Sequence, residues 1–208
     1  MQTLKEDIRR SILMVARKEF AEKGYAKASM RHIASVVGVR AGNLYNYFAS
    51  KDNLFCTILN PVIDRLYTML DKHHKDQDAT NMLDEEYLAE SVREYCSLIE
   101  GHRTLMEILL FNAQGSSLEH FKSDFTDRAT EQVRQWIQCN EIIHKGMQIN
   151  VSDFMIHLHT VSMFTMMEEI LMHKIKHKDL QRIIDEYVKI ETFGWQYFLQ
   201  KKGEDNDE

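Results

Sequence analysis

Apolar residues along this chain recur every three or four positions, the spacing of helices that bury one face. Ile8, Ile12, Val15, Ala16 and Phe20 form one stripe, in a helix predicted over residues 4–23 and ended by Gly24. Met30, Ile33, Ala34 and Val37 form a shorter one, with Ser29 placed to cap its start. Gly38 stops it, because glycine can take the left-handed conformation that turns a chain out of a helix, and Val39 follows as a buried plug. Leu44, Tyr47 and Phe48 resume the periodicity in a third helix over 41–48. Ala34 is small where two axes must approach. Two short helices around a glycine make a helix-turn-helix, and the first helix packs across them to complete a three-helix head.

A fourth helix, capped by Ser50, is predicted to about residue 72, with Leu54, Phe55, Ile58, Leu59, Val62 and Leu66 facing inward. Pro61 falls inside it and predicts a kink, since the apolar phase continues beyond. Residues 73–84 are polar and read as a loop. Five further helices are expected over 85–100, 102–113, 117–140, 151–175 and 178–201, broken at Gly101, Gly115, Gly146 and residues 177–179. Gly115-Ser116-Ser117 supplies a stop and a new cap. The helix after Ser152 is apolar nearly all round and should be buried on two sides. The last carries two stripes, Leu180-Ile183-Tyr187-Ile190-Gly194 and Ile184-Val188-Trp195-Phe198. The expected fold is all-α with about nine helices. Residues 1–50 form a helix-turn-helix domain, 51–202 a helical ligand-binding and dimerisation domain, and 203–208 a disordered charged tail.

Composition agrees: one proline and few glycines among many helix formers. No apolar run is long enough to span a bilayer and the charged N-terminus has no signal-peptide core, so a cytoplasmic protein is expected. Cys56, Cys96 and Cys139 are far apart and odd in number, which fits buried thiols in a reducing compartment. The net charge of −6 argues against a nucleic-acid partner until it is divided. Up to Lys51 there are ten basic and four acidic residues, a charge of +6, leaving −12 for the remainder. A basic head on an acidic body is the asymmetry expected where one end meets phosphates.

The run Gly24-Tyr25, Ile33-Ala34, Gly38-Val39, Gly42, Leu44-Tyr45, Tyr47-Phe48 and Lys51, followed by Leu54 and Phe55, resembles the TetR family of transcriptional regulators in order and spacing. The resemblance covers roughly the first quarter of the chain. Arg40 departs from it where the family usually has a capping serine, and Ala28 where it often has threonine. The first change removes a hydroxyl cap worth about 1 kcal/mol and sets a cation beside the DNA. Arg40, Ala41, Asn43, Tyr45 and Asn46 lie off the core positions Leu44 and Phe48 and can face a major groove, where Asn reads adenine and Arg guanine. Tyr47 and Lys51 match family positions that usually contact phosphate, and Ser29 completes the DNA-facing set. Of the two tyrosines, one is expected to be half-buried packing.

The resemblance further implies a homodimer on a pseudo-palindromic operator in double-stranded DNA, and a small-molecule effector inside the C-terminal helices. The function expected is a repressor released by a small, largely apolar ligand. Control by a protein partner, or action as an activator, is the alternative. By periodicity, with methionines that suit an adaptable pocket, the lining expected is Met106, Leu110, Phe111, Trp136, Met163 and Met166, with His102 and Asn112 as polar contacts. Other chemistry is not foreshadowed. His157 and His159 point apart on a helix, His173 and His177 have i,i+4 spacing without a third ligand, and His73-His74 sits in the polar loop. Solvated or interfacial histidines are expected. Glu141-Ile-Ile-His144 occurs once, without the second copy a di-metal helical bundle needs. With no phosphate-cradling loop, GxSxG or HExxH, neither an enzyme, nor a cofactor, nor a metal is expected.

Overall fold

The computed structural model describes residues 2–74, 84–143, 147–196 and 198–201. The fold is all-α. Among the described residues eight helices run in the order α1 (Gln2–Lys27), α2 (Met30–Val37), α3 (Ala41–Leu44), α4 (Lys51–His74), α5 (Glu85–Phe111), α6 (Phe121–Ile143), α7 (Asp153–Met172) and α8 (His177–Gln196). Two three-residue strands, β1 (Met147–Ile149) and β2 (Leu199–Lys201), pair antiparallel with Ile149 opposite Leu199. The predicted tail 203–208, the break at Gly146 and His144 lie outside the described residues.

The helix count differs from nine by one because the helices expected over 85–100 and 102–113 meet directly at a kink and are numbered together. Together they make up α5, and His102 (φ −131°, ψ 16°) is the non-helical residue between them. α1 is likewise two helical segments, parted at Gly24, whose non-helical φ of 68° and ψ of 167° end the first of them as predicted. α4 passes through Pro61 as one helix and takes in His73 and His74, which the polar pattern had assigned to a loop. α8 stops at Gln196, short of residue 201, because the chain after it turns to pair with β1.

Two compact units are formed, residues 1–65 with 102–121, and residues 66–101 with 122–208. In the first, Ile12, Ala16 and Phe20 of α1 are buried with Ile33 and Ala34 of α2, Leu44, Phe48, and Leu54, Phe55 and Leu59 of α4. Phe55 receives the rings of Phe20 and Tyr25 edge-on, each at 4.9 Å between centroids. The stretch after α5 is strapped to α1. Tyr25 N–H donates to the Asn112 carbonyl at 2.8 Å, and the Asn112 side chain donates to the Ala21 carbonyl at 3.2 Å. Asn112, expected to meet a ligand, is thus spent on the fold. α6 begins at Phe121, not at 117, because the two serines are used in the preceding turn. Ser116 Oγ donates to the Ala113 carbonyl and accepts from Leu118 N–H, while Ser117 N–H donates to Asp52.

In the second unit, Phe125 of α6 lies edge-on to Phe164 of α7 at 5.4 Å and against Tyr67 of α4 at 5.0 Å. Leu98, Leu180, Ile184 and Val188 are buried in the same unit. α7 is not buried on two sides by its own chain. Ile156, Thr160, Phe164, Met167 and Leu171 are buried, whereas Phe154, Met155, Leu158 and Met172 are exposed. Nor are the cysteines buried thiols: Cys56 and Cys96 are half-buried and Cys139 is exposed. None of the described helices is long and apolar enough to cross a membrane.

Candidate nucleic-acid interface and the cavities of the helical body

α2 is fastened at both ends. Ser29 Oγ accepts from His32 N–H at 3.3 Å, and Gly38 (φ 81°, ψ 25°) closes the C-terminus with bonds back to Ala34 and Ser35. Its position on α1 is set by Glu19, only 4% exposed, which sequence periodicity does not single out. One carboxylate oxygen accepts from Lys23 Nζ at 2.9 Å and from Ser29 N–H at 3.1 Å, and the other lies 3.5 Å from His32. Burial pushes this carboxyl up, but its bonds to Lys23 and Ser29 outweigh that and hold it below its ordinary range. One of the four acidic residues of the head is therefore taken out of any field facing solvent.

α3 is a single turn. Arg40 occupies its N-cap position and contributes no side-chain bond, as the missing serine predicts. Residues 45–47 continue as turns, with Tyr47 and Phe48 N–H both bonded to the Leu44 carbonyl, so the helix expected over 41–48 is half as long. An uncapped start followed by Gly42 and Asn43, both weak helix formers, accounts for this. Leu44 and Phe48 anchor the segment in the core. Arg40, Asn43, Tyr45 and Asn46 are exposed, and Ser29, Ala41 and Tyr47 are half-buried. Val39, expected as a buried plug, is also half-buried. Arg31 and His32 of α2 are exposed too, polar positions the sequence reading did not include.

Lys51 is more engaged than its predicted role requires. Its ammonium lies 4.4 Å from the centroid of the Tyr25 ring and donates to the Ala26 carbonyl at 3.3 Å. Partial burial holds it below the ordinary lysine range, with Glu19 opposing. Beside it, Asp52 accepts from Ser117 N–H at 2.9 Å. Burial raises that carboxyl, and its bonds to Ser117, Tyr25 and Cys56 more than reverse the effect. The start of α4 is thereby latched both to the α1–α2 junction and to the turn after α5.

The ligand-lining residues predicted from periodicity are divided by the fold. His102, Met106, Leu110 and Phe111 belong to the first unit, and Trp136, Met163 and Met166 to the second. Met106 is buried in packing, and His102 Nδ1 is buried at the α5 interruption without a partner. Three adjoining spaces occur within the second unit. One of about 110 Å³ lies among His73, His74, Tyr95, Trp136, Tyr187 and Glu191; one of about 60 Å³ runs past Leu70, Phe125 and Met163; one of about 290 Å³ opens among Met155, Leu158, Ile190 and Trp195. His159 borders all three. Of the predicted lining, Trp136 and Met163 are there.

The histidines around these spaces are neither solvated nor arranged for a metal. His73 Nε2 lies 2.7 Å from Glu94 and Nδ1 2.8 Å from the Tyr87 hydroxyl. His159 Nδ1 donates to Glu191 at 2.6 Å, which leaves no lone pair there for the Trp195 N–H 3.2 Å away. Burial, with His73 and His159 nearby, pulls the His74 imidazole down to about 3, so it is neutral at physiological pH. Burial also pushes the Tyr187 hydroxyl up to about 12. His173 and His177, close in sequence, pair separately with Glu169 and Glu100. Among the described residues no group of three metal-ligating side chains gathers.

A four-residue helix held over a buried core in the first unit, with helices around internal cavities in the second, defines a helix-turn-helix protein with a helical body. Residues 12–57 match the family described as bacterial regulatory proteins, tetR family. The repressor KstR2 of Mycobacterium tuberculosis is 28% identical over 141 residues, 67% of this chain and 66% of that protein, a little under two thirds of its length. A TetR-family regulator from Syntrophomonas wolfei superposes with a TM-score of 0.63 over 91% of this chain and 97% of its own, at 19% identity. FadR of Bacillus subtilis, solved with stearoyl-CoA, does so with a TM-score of 0.61 over 89% of this chain and 98% of its own, at 16% identity. The chain thus resembles the TetR family: residues 12–57 match it in sequence, and the fold is that of its solved members.

Proposed function

We propose that this protein is a transcriptional repressor that binds a pseudo-palindromic operator as a homodimer and is released by a small, largely apolar molecule held in its helical body. The observation that carries the reading is the exposed set Arg40, Asn43, Tyr45 and Asn46 on a turn that Leu44 and Phe48 fix to the core. Rigid backing with free polar ends is what groove reading requires. The excess of basic residues up to Lys51 supports the same partner. The resemblance to KstR2 supports repression, and the stearoyl-CoA of FadR supports a body of this fold that accepts an apolar chain. Within this reading residues 1–50 bind DNA and 51–202 hold the ligand and the dimer contact.

Shift assays on DNA flanking the protein's own gene, titrated with salt, test it. Replacing Asn43 by Ala should relax preference at one operator position, with about 1–3 kcal/mol lost. Equal losses on operator and random DNA would remove Asn43 from base reading. Lys51→Ala should weaken all sequences alike and lower the salt slope by about one. It should also lower the melting temperature, because the same ammonium holds Ala26 and Tyr25.

A further inference from the structure

The cavities of the second unit carry information about charge. No lysine or arginine is among the described residues lining them, and the carboxylate that does line them, Glu191, is paired with His159. His73 has both ring nitrogens engaged, by Tyr87 and Glu94. A carboxylate, phosphate or ammonium on a ligand would therefore lose its hydration there without gaining an unpaired counter-charge.

Two polar atoms in the same space are left over. His74 Nδ1 and the Tyr187 hydroxyl are buried with no hydrogen-bond partner. The Leu70 carbonyl lies near the first and Ser162 near the second, but neither meets it at hydrogen-bond geometry. The Trp195 N–H is a third under-used donor beside them. Buried polar groups are rarely left unpaired, so a cavity that keeps two has room for an occupant that satisfies them. Around them the walls are apolar or aromatic, from Val133 and Trp136 on one side to Leu158 and Ile190 on the other.

We infer that the effector is an uncharged molecule with an apolar body and one hydrogen-bonding oxygen, an alcohol, phenol or ketone, whose oxygen sits at His74 and Tyr187. The inference rests on the ligand-responsive reading above and adds the chemical class of the ligand. The apolar body extends past His159 toward Met155 and Ile190, and the oxygen closes the bonds that His74 and Tyr187 lack.

Both tryptophans of the chain, Trp136 and Trp195, line this space, so intrinsic fluorescence reports on its occupant. Two matched pairs are titrated into the full-length protein at pH 7.5, 1-decanol against decanoate and 2-naphthol against 2-naphthoate, following tryptophan emission and melting temperature. The expected result is a saturable change with the neutral member of at least one pair, at least tenfold tighter than with its carboxylate. Tyr187→Phe should weaken that neutral ligand at least threefold while leaving the unliganded melting temperature within a few degrees. Carboxylates binding as well as or better than the neutral partners overturn the assignment of class and leave the cavity standing as the effector site. An unchanged affinity in Tyr187→Phe overturns the placement of the oxygen. If none of the four moves either signal, this cavity holds no such effector and the ligand-responsive reading fails with the inference.

Discussion

At the scale of single residues the chain's least expected feature is a histidine kept neutral. His74 has a folded-state pKa near 3 against 6.5 for the free side chain, so below pH 6.5 the unfolded chain takes up a proton that the native one refuses. The sign follows: stability present above about pH 6.5 is lost as the pH falls toward 3, at up to about 1.4 kcal/mol per pH unit from this group. Urea midpoints at pH 7.5, 6 and 5 should decline in the unaltered protein and decline less in His74→Phe. Parallel lines for the two proteins would mean the ring is solvated after all. Glu19 works in the opposite sense. Its pKa is lowered on folding, so what it contributes is intact above the ordinary carboxylate range and lost in acid. Neither residue stands out from its neighbours in sequence, because burial of a charged side chain is decided by what packs over it.

Among the elements, the two short helices of the head differ in what holds them. α2 is capped at both ends, and Gly38 supplies a left-handed residue with φ 81° and nothing within 4 Å of where a Cβ would sit. Gly38→Ala should therefore cost backbone strain alone, about 1–2 kcal/mol, seen as a lower melting temperature. Gly42 is also free of neighbours but has no positive φ. Gly42→Ala should instead stabilise by about 0.5–1 kcal/mol through helix propensity. Opposite signs at two open glycines four residues apart are the check; a loss at both would mean that α3 resists any side chain there. The glycine stops and serine caps were legible in sequence because they act locally. The length of α3 and the start of α6 were not. Ser117 reads as a cap, but its N–H is taken by Asp52, 65 residues away in sequence.

For the molecule as a whole, the homodimer proposed above would use the exposed apolar face of α7 and α8. Phe154 is 70% exposed, Ile190 72% and Phe193 64%, and Leu158 and Ile190 border one groove. Large apolar side chains clustered on one face mark an interface, and two-fold pairing lets the same face cover itself. The double replacement Ile190→Glu, Phe193→Glu should yield a monomer by sedimentation at micromolar concentration, with operator binding reduced far more than binding by one isolated head. A dimer unaffected by both changes would place the contact elsewhere.

The division of labour between sequence and tertiary structure follows from the range of the forces involved. Helical period, glycine stops, serine caps and the charge of the head depend on residues a few positions apart, and with them the all-α fold and the turn at 40–47 were open to inspection. Burial of Glu19, the neutral state of His74, the loss of Asn112 to the fold and the partition of the expected ligand residues between two units each depend on how separate elements pack together. A polar side chain looks alike on a page whether water or protein surrounds it, and only packing decides which of its bonds are made and which are left for a ligand.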